Sequence, residues 1–284
     1  MTPGGTQPRS AAAPAVNRGF AVTPAGQIHY AVAGRGEPVV LLHQTPRSWD
    51  EFRDVLPLIG RQYRVFGIDT IGFGDSYRPA EACSIESCAL GVIDFLDTMG
   101  LQQVSLVGHH TGGVIAVEVA AARPERVQRL VLSSTPYIDA DERERRRQHP
   151  LSVDQVEAKD DGSHLTQMWQ RRQAFYPEGR PDLLARFVID AMKVGSRVEE
   201  GHEAVGRYVM EQRLPRIVAP TLIMCGGADR FALPSVEPLA AAIPGSRTVI
   251  LPEGMVPMPD QMPHEFAQVV LDFLDETPTQ TSSG

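Results

Sequence analysis

The chain has 284 residues, 42% of them hydrophobic, enough to bury a large core as one sizeable domain or one domain with an insertion. Its 27 Lys and Arg against 35 Asp and Glu give a net charge of −8, which argues against nucleic acid or an anionic membrane as the main partner. Three cysteines, Cys83, Cys88 and Cys225, make neither a disulfide framework nor a paired metal-ligand spacing, so inert packing thiols and a reducing, cytoplasmic setting are expected.

In chain order, residues 1–17 are rich in Pro, Gly and Ala without a continuous apolar run, and read as a disordered segment rather than a secretory signal. Strands are expected at Gln27–Ala33, Pro38–His43, Tyr63–Asp69, Val104–Val107, Val127–Leu132, Thr221–Cys225 and Thr248–Leu251. Helices are expected at Ser48–Leu58, Ser84–Met99, Thr111–Ala122, Ser235–Ile243 and Pro263–Leu274. This alternation is that of a mostly parallel sheet flanked by helices, with residues 18–135 and 215–276 as core and 277–284 as a disordered tail. No stretch approaches the roughly 18 apolar residues of a membrane span.

Residues 136–214 break the alternation. They are charged, helical in pattern and carry Trp169, Phe175, Tyr176, Phe187 and Tyr208, which suits a helical lid over the carboxyl ends of the strands, where open α/β sheets place their ligands. Within it Arg143–Gln148, preceded by acids, reads as a solvated helix face.

The stretch from Val39 to Ser76, with Gly72, Gly74 and Ser76 at its end, the segment Pro220–Pro234, and the segment from Val249 to Leu274 are together similar to the α/β-hydrolase superfamily over about Gly19–Leu274. In that family a sharp strand-to-helix turn, Gly-x-nucleophile-x-Gly, holds the nucleophile in a strained conformation. The matching residues are Gly108, His109, His110, Thr111 and Gly112, so an imidazole stands where serine is expected. The resemblance places the triad acid at Asp229 and the triad histidine at Met255, whose thioether cannot carry a proton. His264 comes too late in the chain to replace it.

The resemblance also implies an oxyanion hole from the backbone N–H groups of Gln44 and Thr111. With the serine route closed, His110 is expected to act as a general base, with a water or the Met255 side chain filling the space toward Asp229. Direct proton transfer from substrate would make the protein a lyase, isomerase or cyclase; activation of water would make it a hydrolase of a labile ester or lactone. A non-catalytic binder using the same lidded cavity is the competing class. The ligand is expected to be a small or medium organic molecule with apolar surface, met by His43, Met255, His164, Trp169 or Arg172. For His43 a structural hydrogen bond is the stronger expectation, and for the three lid residues capping and packing. No cofactor is implied, and adjacent His109 and His110 do not form a metal site, because their side chains diverge. A homodimer stays open.

Overall fold

In a computed structural model the structure describes residues 13–149 and 152–276. The disorder expected at residues 1–12 and 277–284 therefore falls outside the described residues. Eight strands form one sheet: β1 Asn17–Val22, β2 Gln27–Ala33, β3 Pro38–Leu42, β4 Arg64–Ile68, β5 Val104–His109, β6 Val127–Ser133, β7 Thr221–Gly226 and β8 Arg247–Leu251. Their spatial order is β1-β2-β4-β3-β5-β6-β7-β8. The β1–β2 and β2–β4 pairs are antiparallel and every later pair is parallel.

Helices cover both faces. In chain order they are α1 Leu56–Ile59, α2 Ile85–Thr98, α3 Thr111–Ala122, α4 Ala140–Gln148, α5 Ser163–Gln173, α6 Pro181–Val194, α7 Glu200–Arg207, α8 Val236–Ala242, α9 Met258–Gln261 and α10 Pro263–Leu274. The period of two along β3 divides the core. Val40 and Leu42 pack with Val92, Phe95 and Val114 of α2 and α3, while Val39 and Leu41 pack with Leu56, Phe266 and Val270 of α1 and α10. A strand buried on both faces reads as an unbroken apolar run, as Pro38–Leu42 does.

Two sequence expectations change. The disordered segment does not extend through residue 17, because Val16 packs against the core and Asn17 opens β1. That strand escapes periodicity: it lies at the sheet edge, and of its six residues only Ala21 is buried. The helix expected over Ser48–Leu58 is instead a 3-10 turn at Trp49–Phe52 followed by α1. Pro57 accounts for the break, since it has no N–H to give and its ring would collide with the carbonyl four residues earlier in a continuous helix.

Four helices, α4 to α7, lie between β6 and β7. Met168, Leu183, Leu184 and Phe187 of α5 and α6 form a separate apolar cluster that closes on Phe73 of the core. Among the described residues no helix is long and apolar enough to cross a membrane.

Candidate active site

The carboxyl ends of β3, β5 and β7 meet at one edge of the sheet, held in register by pairs such as Leu42 with Gly108 and His109 with Ser133. His110 links β5 to α3 with φ 47° and ψ −115°, a conformation that L side chains rarely adopt. The turn is fixed by bonds from His110 N–H to the Ser133 carbonyl (2.9 Å) and from Gly113 N–H to the His110 carbonyl (2.9 Å).

The glycines around it are steric necessities. A Cβ on Gly108 would stand 2.3 Å from the Gly112 carbonyl oxygen, one on Gly112 2.0 Å from the Leu42 carbonyl oxygen, and one on Gly113 1.9 Å from Thr135 Oγ1. The turn that follows β4 obeys the same logic, because a Cβ on Gly74 would lie 2.1 Å from Asp69 Oδ2. That carboxylate braces its loop by accepting the N–H groups of Trp49 (2.7 Å) and Asp75 (2.8 Å).

Across the cavity floor, His110 Nε2 lies 2.8 Å from Asp229 Oδ2. The separation is that of a hydrogen bond, but ring and carboxylate are not aligned for one, and neither atom has another hydrogen-bond partner among the described residues. The pair is therefore a close contact, and a charge pair only when the imidazole is protonated. Asp229 is aimed by its other oxygen, Oδ1, which accepts the N–H groups of Phe231 (3.1 Å) and Ala232 (3.2 Å). Burial alone would raise this carboxyl, but the His110 charge and the backbone N–H groups prevail and hold it at about 2. No water and no Met255 side chain separates the imidazole from the acid. Imidazole and carboxylate meet directly.

His109 lies beneath, its ring edge-on to that of His110 with centroids 4.7 Å apart. Its Nε2–H donates to the Val256 carbonyl (2.9 Å), which leaves Nδ1 to accept from the Ser133 hydroxyl (2.9 Å). Burial pushes His109 down to about 4 and keeps it neutral near pH 7.

The cavity above these residues measures about 410 Å³. Gln44, Thr45, His110 and Thr111 form its floor, Tyr137, Phe231 and Val256 contribute to its walls, and Arg145, Arg146, Arg172 and His202 reach it from the helices between β6 and β7.

Several residues singled out from the sequence are placed elsewhere. The Gln44 N–H is not a free oxyanion donor: it donates to the buried Glu51 carboxylate at 2.9 Å, and the Gln44 side-chain amide donates to the same group. Burial works against a charged Glu51, yet His109, the Arg47 charge and these donors hold its carboxyl below the usual range. The neighbouring N–H, that of Thr45, has only a long 3.4 Å contact with Thr111 Oγ1. Thr111 opens α3, where its own N–H has no acceptor within the helix.

His43 is buried outside the cavity lining. Its Nδ1–H donates to the Gln44 carbonyl (2.8 Å) and its Nε2 accepts the Thr70 N–H (3.0 Å), so it braces the loop rather than meeting a ligand. Met255 is half-buried and also absent from the lining, with Val256 taking that place. Gln261 fixes this loop by accepting the Met255 N–H and donating to the Glu253 carbonyl, both at 2.8 Å. His164 accepts the Lys159 N–H (3.2 Å) in a local turn, and Trp169 packs within the α5–α6 cluster. Of the three residues named in the insertion only Arg172 lines the cavity, and its guanidinium is engaged by Asp154.

Glu51, Thr45 and Asp154 are not singled out by the sequence, and His202 ranks there below His164, Trp169 and Arg172. Thr45 was legible as the residue between Gln44 and Pro46 at the end of a strand; the other three carry no periodic signal.

Residues 37–254 match the family model for the alpha/beta hydrolase fold, and the chain belongs to that family. A stretch of 106 residues, 37% of this chain, is 36% identical to the soluble epoxide hydrolase of Corynebacterium sp. (strain C12) and spans 37% of that enzyme's length. The fold is similar to that of a hydrolase from Pseudomonas aeruginosa PA01, with a TM-score of 0.77 and 23% identity over 92% of this chain and 99% of that one. It is likewise similar to the enol-lactonase from Burkholderia xenovorans LB400, with a TM-score of 0.76 and 21% identity over 91% and 100% of the two chains.

Proposed function

We propose that the protein is a cofactor-independent enzyme that acts on a small or medium apolar organic molecule through acid/base chemistry at His110. The observation that carries this reading is the 2.8 Å contact between His110 Nε2 and Asp229 Oδ2 at the floor of the cavity. A hydroxyl at this elbow becomes a nucleophile only when a separate base takes its proton. An imidazole there occupies the space of both nucleophile and base, and it meets the acid directly. Asp229 lies against the ring and stabilises its protonated form, while the second ring nitrogen is left to exchange a proton with a substrate or a water.

The N–H groups of Thr45 and Thr111 are the donors we assign to the developing oxyanion, in place of the Gln44–Thr111 pair, because the Gln44 N–H is committed to Glu51. Either a substrate proton or a water proton suits this arrangement. The hydrolytic branch, with His110 activating water against a labile ester or lactone, is favoured because the 36% identical relative is by name a hydrolase.

The test is turnover of a panel of aryl and alkyl esters and lactones by the wild-type protein and by His110→Gln. Loss of about 10²-fold or more in kcat, with KM changed only a few-fold, is expected. Undiminished turnover by His110→Gln contradicts the assignment. A serine-directed fluorophosphonate is expected to leave the elbow unlabelled.

A further inference from the structure

A second histidine–carboxylate pair faces the same cavity from the opposite side. His202 of α7 lines the cavity, and its Nε2 lies 2.9 Å from Oδ2 of Asp154, a residue wholly buried in the insertion. Asp154 also receives both arms of the Arg172 guanidinium, and its backbone N–H donates to Glu199. The carboxylate is thus held by two side chains, Arg172 and His202, and its backbone by a third, Glu199. Burial works against its charge, but Arg172 and His202 together hold it at about 2, so it is ionised at any working pH.

An ionised carboxylate can only accept, so the proton on Nε2 of His202 points to Asp154. The 3.4 Å contact between Nε2 and Arg172 Nη2 is then donor against donor and adds no hydrogen bond. This leaves Nδ1 as the ring atom available for exchange, and the His202 side chain is 25% exposed, so it can equilibrate with solvent.

The neighbouring residue brings the α7 backbone against the floor loop. A Cβ on Gly201 would lie 1.9 Å from Thr45 Oγ1, so α7 rests directly on the loop that carries the Thr45 N–H. His202 is therefore next in sequence to the residue touching the proposed oxyanion donor.

We propose that His202, oriented by Asp154, is a second catalytic residue of this cavity, the acid that protonates the departing oxygen of an ester or lactone while His110 serves as base. The inference rests on the reading of His110 given above. His110 takes a proton from water as the water oxygen bonds to the carbonyl carbon, and the carbonyl electron pair moves onto oxygen between the Thr45 and Thr111 N–H groups. When that pair returns, the bond from carbon to the leaving oxygen breaks, and this oxygen keeps the bonding electrons and takes the proton from His202. Water has then been added across the ester. His110 carries one proton more and His202 one fewer than at the start, and exchange with solvent restores both.

The experiment compares wild type, His202→Gln and His110→Gln on an ethyl ester, whose alkoxide needs a proton to leave, and on a p-nitrophenyl ester of the same acid, whose phenolate does not. For His202→Gln we expect kcat to fall about 10²-fold on the ethyl ester and to stay within about threefold on the aryl ester. His110→Gln is expected to lose both. An equal loss by His202→Gln on the two esters marks a structural role and overturns the proposal, as does no loss on either. Undiminished activity in His110→Gln overturns instead the reading on which it rests, and a wild type inert toward both esters overturns the hydrolytic form of both. Matched thermal unfolding by circular dichroism identifies a folded variant, and His202→Asn replaces His202→Gln if the latter does not fold.

Discussion

β3 and β5 are buried along nearly their whole length and join the sheet by apolar packing on both faces, whereas α4 in the insertion buries no residue at all. The insertion has an apolar cluster of its own, but much of its joint with the core is polar. Arg47, fully buried in the loop that carries Gln44 and Thr45, pairs with Asp190 of α6 at 2.8 Å and with Asp260 of α9. Arg186 of α6 reaches Asp50 and Asp260, both at 2.9 Å, and Arg197 donates to the carbonyls of Pro79 and Glu81. Packing of the sheet fixes the floor of the site, and buried charge helps fix its roof. The two parts should therefore fail under different perturbations.

The largest effect is expected at the polar joint. Arg47→Ala removes the common cation of Asp190 and Asp260, leaving buried Asp190 without a cation and Asp260 with Arg186 alone, which should cost about 3–5 kcal/mol in denaturant unfolding. A loss below 1 kcal/mol would show that water or rearrangement replaces it and that the joint does not depend on this charge.

The next lies under the floor. His109 is held at about 4 by burial, whereas an unfolded chain protonates histidine near 6.5. Between these values the unfolded state binds more protons, so stability should decline as pH falls from about 6.5 to 4, by about 3 kcal/mol in all. Asp260, which burial pushes up to about 6, acts in the opposite sense over part of this window. The clean measurement is accordingly the difference between wild type and His109→Gln, in which the His109 slope should vanish. Identical slopes would contradict a buried neutral His109.

Gly112→Ala tests the close approach of α3 to β3. With the new methyl 2.0 Å from a backbone oxygen, a cost of about 1–3 kcal/mol is expected in the same unfolding assay, and a neutral result would contradict the steric account of the elbow. The smallest effect belongs to the solvated face of α4. Arg145 is 70% exposed and pairs with Glu142, and Arg145→Ala should change stability by less than about 0.5 kcal/mol. A larger loss would give that surface pair a role denied to it here.

The same contrast explains what the sequence disclosed. The inner parallel strands were legible as unbroken apolar runs, α2 and α10 because each buries a periodic apolar face, α3 because it is apolar nearly throughout, and the elbow because its glycines answer to backbone clashes at fixed spacing. His110 and Asp229 followed from the resemblance to the α/β-hydrolase family, through its elbow motif and the strand that delivers its triad acid. Their direct contact did not, since the reach of an imidazole across a turn depends on where two separate loops come to rest.

Charge pairs leave no such trace. Arg47 and Asp260 are separated by 213 positions, and Asp154 and His202 by 48, with nothing in either neighbourhood to mark the partner. The commitment of the Gln44 N–H to Glu51 was hidden for the same reason, because a hydrogen bond seven residues away depends on how the 3-10 turn at Trp49–Phe52 is wound. Polar positions in the insertion were thus visible as residues but not as partners, and Arg172 reached the cavity while His164 and Trp169 did not.

The most direct test of the His110–Asp229 unit is a double-mutant cycle on kcat/KM with His110→Gln, Asp229→Asn and the pair together. Each single change should cost about 10²-fold or more, and the double variant should be scarcely worse than His110→Gln alone, because the carboxylate acts only through the ring. Losses that multiply in the double variant would show that the two side chains act independently and would contradict the account.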